Sequence, residues 1–215
     1  MSGLRSLARG IAGRIAPPSL LVLRGPADRR AVALTFDDGP DPLTPAYLDV
    51  LDRFGARATF FVLGASCERH PTALLEIVRR GHEVAAHGFT HRRFPTLPAA
   101  AIADELRRTA DLLPPPRRSR ALARPPQGSV SARSLAACAA AGYTTVLWSL
   151  DSDDCRTRSP EVVAEGLAPA RVAPGEIVLL HEGQPWTLEA LPRALEELAG
   201  AGYRFATVGE LLGRE

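Results

Sequence analysis

The stretch AVALTFDDGPDP, residues 31–42, runs four apolar residues into two adjacent aspartates and a Gly-Pro turn. Ala31–Phe36 reads as a short buried strand, and Gly39-Pro40 turns the chain sharply behind it. Asp37 and Asp38 therefore fall where that strand ends. A polar turn would explain them, because Asp-Gly and Pro make good turns. The rest of the chain decides whether they also carry chemistry.

Outward from this stretch, short β-branched or apolar runs alternate with helix-like segments. The runs are residues 31–36, 58–62, 83–86, 121–123, 144–148, 176–180 and 203–207. Helices are expected over 44–54, 71–80, 98–113, 131–141, 160–171 and 187–200, with a short one at 208–212. Thr44-Pro45 and Ser159-Pro160 read as N-cap followed by N1, and Gly81, Gly142 and Gly202 sit where helices should stop. Repeated βα units imply a mostly parallel sheet. The expected fold class is α/β, a distorted (β/α)7 barrel in a single domain; an open doubly wound sheet has the same element order. Residues 1–29 are expected to form an N-terminal segment with a short amphipathic helix, and residues 30–215 the folded domain.

Composition removes several functions. The chain has 215 residues and a formal net charge of +2, so nothing draws it strongly to nucleic acid. Every one of the 26 basic side chains is arginine, which rules out a Schiff-base lysine and a Walker-A lysine. Asparagine is absent, and with it N-glycosylation sites. Cys67, Cys138 and Cys155 are an odd, scattered set that argues for a reducing compartment and against a disulfide framework. Arginines interrupt residues 1–25, leaving neither a signal-peptide core nor a transmembrane span, so a cytoplasmic location is expected. Leu4, Leu7, Ile11 and Ile15 would share one helical face opposite Arg5 and Arg9. That face suits packing on the domain or weak contact with the inner membrane surface through residues 1–25.

In βα barrels function gathers at the C-terminal strand ends. Those ends here carry Asp37-Asp38, His87 and His91, Arg124, the run Asp151, Asp153, Asp154, and His181-Glu182. HGFTH, residues 87–91, spaces two histidines i, i+4, which on a helical turn puts both rings on one side. With one aspartate from the neighbouring strand end they make a two-histidine, one-carboxylate site with open positions, the pattern of a catalytic metal. Zinc fits first, and cobalt, nickel or iron suit the same ligands. Adjacent residues on an extended chain point apart, so one aspartate can bind the ion while the other acts on water as general base.

Taken in order, TFDDG, HGFTH, RPPQG, DSDDC and LLHE resemble the motifs of the polysaccharide deacetylase family, carbohydrate esterase family 4, over about residues 30–212. The resemblance implies a distorted βα barrel and metal-dependent removal of N- or O-linked acetyl groups from a carbohydrate. It makes Asp37 the general base and Asp38, His87 and His91 the metal ligands. Arg124 would hold the base, and the backbone N–H of Gln127 would meet the oxyanion. Asp154 would orient His181, the general acid, and Leu180 would line the acetyl pocket. Three positions depart from the family pattern. Gln127 replaces an aromatic, Cys155 a tryptophan and Glu182 an aspartate. Trp186 is the residue available to refill a pocket widened at Cys155; ordinary burial is its other reading. The competing functions are deacylation of a lipid-linked sugar or small amide in the same fold, and a catalytically degenerate carbohydrate-binding module.

Overall fold

The computed structural model describes residues 17–115 and 121–213. Its elements in chain order begin with β1 (Leu21–Val22), β2 (Ala31–Asp37), α1 (Thr44–Arg53), β3 (Thr59–Val62), α2 (Gly64–Arg69), α3 (Pro71–Arg79) and β4 (Glu83–Ala86). They continue with α4 (Ala99–Ala110), β5 (Ala121–Ala123), α5 (Ala132–Ala140), β6 (Tyr143–Val146), β7 (Leu150–Asp151), α6 (Asp154–Thr157) and α7 (Pro160–Gly166). The last are β8 (Ile177–His181), α8 (Pro185–Gly200), β9 (Arg204–Phe205) and α9 (Val208–Leu211).

All pairings are parallel, and the strands follow the spatial order β1-β6-β5-β4-β3-β2-β8-β7, with β9 added to β2. From β2 to β8 this is a distorted seven-stranded barrel of the expected class, but its seventh strand is β7; the run expected over 203–207 supplies only β9, beside the start of β2. Among the described residues no ladder joins β6 to β7, so the barrel stays open there.

Side-chain alternation along β2 builds two cores. Val32, Leu34 and Phe36 face the helices, packing with Tyr47, Leu48 and Leu51 of α1 and Leu191 and Leu195 of α8. Phe36 stacks on Phe60 at 5.1 Å and meets the edge of Tyr47 at 5.4 Å. Ala31 and Ala33 face inward with Phe61, Ala85, Leu122, Val146 and Ile177. By the same parity Thr35 and Asp37 point inward too. The fold thus delivers a carboxylate to the barrel mouth on a fully buried strand.

Ser159 caps α7 with Pro160 behind it, and Gly81, Gly142 and Gly202 take φ of 82°, 87° and 82° just past their helices. Other expectations fail for local reasons. Thr44 is not an N-cap; its hydroxyl accepts from the Asp41 N–H at 2.8 Å and donates to Glu182. The helix expected over 160–171 stops at Gly166, ahead of Pro169, whose ring disfavours helix in the residue before it. Residues 87–91 are a loop, not a helical turn. β1, β7, α2 and α6 are too short to show periodicity and were not foreseen. The helix expected near the N-terminus falls mostly on residues 1–16, outside the described residues.

Candidate active site

Asp37 ends β2, and Arg124 fixes one of its two oxygens. Arg124, completely buried just beyond β5, places Nη1 2.7 Å from Asp37 Oδ1 and 2.8 Å from Thr35 Oγ1. The other guanidinium nitrogens donate to backbone carbonyls, Nε to Val146 at 3.3 Å and Nη2 to Leu147 at 3.1 Å. Those carbonyls lie where β6 leaves the sheet, so the opening of the barrel provides acceptors for a buried cation. The Phe61 ring centroid is 4.0 Å from the guanidinium carbon, and that of Trp148 5.6 Å. A buried arginine costs several kcal/mol unless its charge and its donors are matched; here both are.

Asp38 turns the other way, with φ of 78°. Its Oδ1 lies 3.4 Å from His87 Nε2 and 3.2 Å from His91 Nε2. The Nδ1 of His87 contacts the Arg124 carbonyl at 2.8 Å, which assigns the proton to Nδ1 and leaves the Nε2 lone pair facing Asp38. Asp38 Oδ1 is buried and receives no hydrogen bond. Glycine at position 39 leaves the space that the Glu182 carboxyl fills: a Cβ there would lie 1.6 Å from Glu182 Oε2.

On the adjacent strand His181 is in register with Asp37. Its Nδ1 is 2.7 Å from Asp154 Oδ1, and its backbone N–H donates to Asp154 Oδ2 at 2.7 Å. Thr187 adds a bond to Oδ2 at 2.9 Å, and the Trp186 indole donates to the Asp154 carbonyl at 2.7 Å. Burial pulls the His181 pKa down, yet the bonds to Asp154 and Cys155 and the nearby carboxylates raise it to about 11. The thiol of exposed Cys155 lies with the Asp154 and His181 ligand atoms, all within 4.8 Å of one another.

The structure therefore gathers Asp37, Asp38, His87, His91, Arg124, Asp154 and His181 at one end of the barrel. Exposed Gln127 sits at the rim with φ of 59°, next to Gly128, whose hydrogen faces the Trp148 ring. Leu180 is a correction. It packs with Val178 in the layer between sheet and helices, on the opposite face from His181; Leu179 has the parity expected of Leu180. Trp186 is partly buried and holds the Asp154 backbone, with the Arg158 guanidinium 5.7 Å from its ring. Thr35 and Thr187 escaped sequence reading. Strand parity with Asp37 points to Thr35; nothing local points to Thr187, which reaches Asp154 across 33 residues.

The family model described as polysaccharide deacetylase matches residues 24–146, more than half of the chain. Asp154 and His181 lie beyond that match. A peptidoglycan-N-acetylglucosamine deacetylase of Bacillus cereus is 35% identical over 207 residues, covering 91% of this chain and 94% of the relative. The Listeria monocytogenes deacetylase PgdA is 30% identical over 216 residues; the chain spans 46% of its length. A crystal structure of a peptidoglycan N-acetylglucosamine deacetylase superimposes with a TM-score of 0.85 at 26% identity, covering 92% of this chain and 94% of that one. Among the described residues no helix is long and apolar enough to cross a membrane.

Proposed function

The chain belongs to the polysaccharide deacetylase family, and from that premise we propose that it hydrolyses the acetyl amide of an N-acetylated amino sugar within a glycan. The observation that carries the reading is the convergence of Asp37, Asp38, His87, His91 and His181 at one barrel mouth. The B. cereus relative, of nearly the same length, is named for N-acetylglucosamine in peptidoglycan, so a glycan of that chemistry is the substrate class.

The family implies a divalent cation, and the residues present fit one. Asp38 Oδ1 is buried and lacks a hydrogen-bond partner, and the lone pair of His87 Nε2 is turned toward it. The separations of 3.2 and 3.4 Å from that oxygen match the ~3.3 Å between two ligands of a tetrahedral centre with bonds of ~2.0–2.1 Å. Asp38, His87 and His91 would hold the ion, zinc first by ligand chemistry and cobalt, nickel or iron after it. Bound there, it supplies a Lewis acid for the amide carbonyl and makes water more acidic.

The remaining steps belong to the chain's own residues. Asp37 takes the proton of the attacking water at its free Oδ2, while Arg124 holds Oδ1 and keeps the carboxylate aimed inward. The Gln127 backbone N–H is offered to the developing oxyanion; a donor of this type contributes about 3 kcal/mol in comparable sites. His181, a cation through Asp154, delivers its proton from Nε2 to the departing nitrogen. The intact base and acid argue against a module that only binds carbohydrate, since binding requires neither.

Acetate release from N-acetylglucosamine oligomers and from peptidoglycan, with and without a chelator, tests this reading. Acetate should appear only with the metal present, and Asp38→Ala should lose both metal and turnover. Undiminished activity in Asp38→Ala, or no release from any acetylated glycan by metal-loaded protein, rejects it.

A further inference from the structure

Gly88, Phe89 and Thr90 bridge the two histidines, and the bridge is gripped from both sides. The Gly88 and Phe89 carbonyls accept from the Gly64 and Ala65 N–H groups of α2, each at 3.1 Å. Opposite them stands Glu105 of α4, 6% exposed. Its Oε2 accepts from the Phe89 N–H at 2.7 Å and the Thr90 N–H at 2.8 Å, and its Oε1 accepts from the Thr90 hydroxyl. Arg108, one helical turn on, lies over the Phe89 ring at 3.6 Å.

Glu105 shares the inner face of α4 with Ile102, Leu106 and Thr109. An apolar residue would fill that face without the cost of desolvating a carboxylate. Among the described residues Glu105 has no ion pair, so its three donors are what compensate the charge. All three belong to the bridge. The bridge is also conformationally demanding, with φ of 83° at Gly88 and 60° at His91.

We propose that Glu105 is a positioning residue for the cation site. By tying down the amides between His87 and His91 it sets the tilt and separation of the two rings, now 42° and 5.3 Å between centroids, and through them the affinity for the ion. The proposal rests on the reading of Asp38, His87 and His91 as ligands. It needs no direct contact between Glu105 and the ion.

The test strips metal from the wild type and from Glu105→Ala, Glu105→Gln and Thr90→Val. Zinc affinity is then measured by competition with a chromophoric chelator, alongside the melting temperature of each metal-free protein. Hydrogen exchange at the Phe89 and Thr90 amides is followed in parallel. Glu105→Ala should weaken zinc binding by about 10- to 100-fold, the range for residues behind a ligand shell. Glu105→Gln and Thr90→Val should each weaken it by a few fold, and the two amides should lose protection in metal-free Glu105→Gln. Where Glu105→Ala does not fold, the two milder variants decide. Wild-type zinc affinity in the folded variants, even with a lowered melting temperature, would show that Glu105 only stabilises the fold and overturns the proposal. A wild type that binds no divalent cation removes the underlying reading and this proposal with it.

Discussion

Asp37 and Asp154 are both buried carboxylates at the barrel mouth, and they are held in opposite ways. Asp37 faces a permanent cation, Arg124, whose Nη1 also donates to Thr35 and whose other two nitrogens donate to backbone carbonyls. Asp154 faces an imidazole that titrates, and its remaining bonds come from uncharged donors, the His181 N–H and the Thr187 hydroxyl. A carboxylate beside guanidinium has a neighbour that never exchanges its proton and keeps one oxygen free for solvent chemistry. A carboxylate with both oxygens occupied holds a proton on its partner instead. In the proposed mechanism one residue type is a base at the end of β2 and the support of an acid at the start of α6, and the partner makes the difference.

The sharpest way to break this comparison is Asp37→Asn. The amide still accepts from Arg124 but cannot take a proton. Turnover should fall about 10³-fold, within the usual span for loss of a general base. Metal content, read by elemental analysis, should stay at the wild-type level. Loss of the metal would mean that Asp37 is a ligand and that the two aspartates do not divide their work.

Asp154→Asn comes next, with a fall of about 10²-fold in turnover and unchanged metal. It also predicts a change with pH. The folded pKa of His181, about 11, lies above its ordinary value of 6.5. The pair therefore stabilises the fold fully below pH 6.5, and that contribution is lost as pH rises toward 11. Asp154→Asn should flatten the alkaline decline in melting temperature and move the loss of activity at high pH toward neutrality. An unaltered pH profile would deny His181 the role of acid.

The two halves were not equally legible in the sequence. Asp37-Asp38, His87, His91 and Arg124 sit at or just past strand ends, where local composition and barrel topology agree on what faces the mouth. The i, i+4 spacing of the histidines brought them to one side as expected, but through a loop with two left-handed residues rather than a helical turn. The acid half depends on contacts across distant sequence. Trp186 and Thr187 reach Asp154 from the start of α8, and no local pattern announces that. Leu180 was placed by resemblance alone, and side-chain alternation along the strand decides otherwise. β8 continues through His181, and this puts Leu179, not Leu180, on the histidine's face. The barrel itself was readable because βα alternation is a long-range pattern; its opening between β6 and β7 was not, because β7 has only two residues.

Glu182 offers the smallest expected effect on turnover and a separate view of the same comparison. It is a third buried carboxyl at this mouth, 4% exposed, and among the described residues it has no ion pair with a permanent or a titrating cation. Its Oε1 accepts from Thr44, and its Oε2 has no partner. Burial, with the charges of Asp41, Asp38 and Asp37, raises its pKa to about 8 despite the Thr44 bond, so the neutral acid is the form present at pH 7. Folding then favours the protonated state. This contribution is complete below the ordinary value of 4.5 and is lost as pH rises through 8. Glutamine has the shape of the neutral acid and no charge to desolvate. Glu182→Gln should therefore change turnover less than about threefold, while at pH 8 it raises stability in urea by on the order of 1–3 kcal/mol. At pH 4.5 the two proteins should unfold alike. A variant less stable than wild type at pH 8 would mean that Glu182 is ionised and paired, and that an uncompensated carboxyl is not what distinguishes it from Asp37 and Asp154.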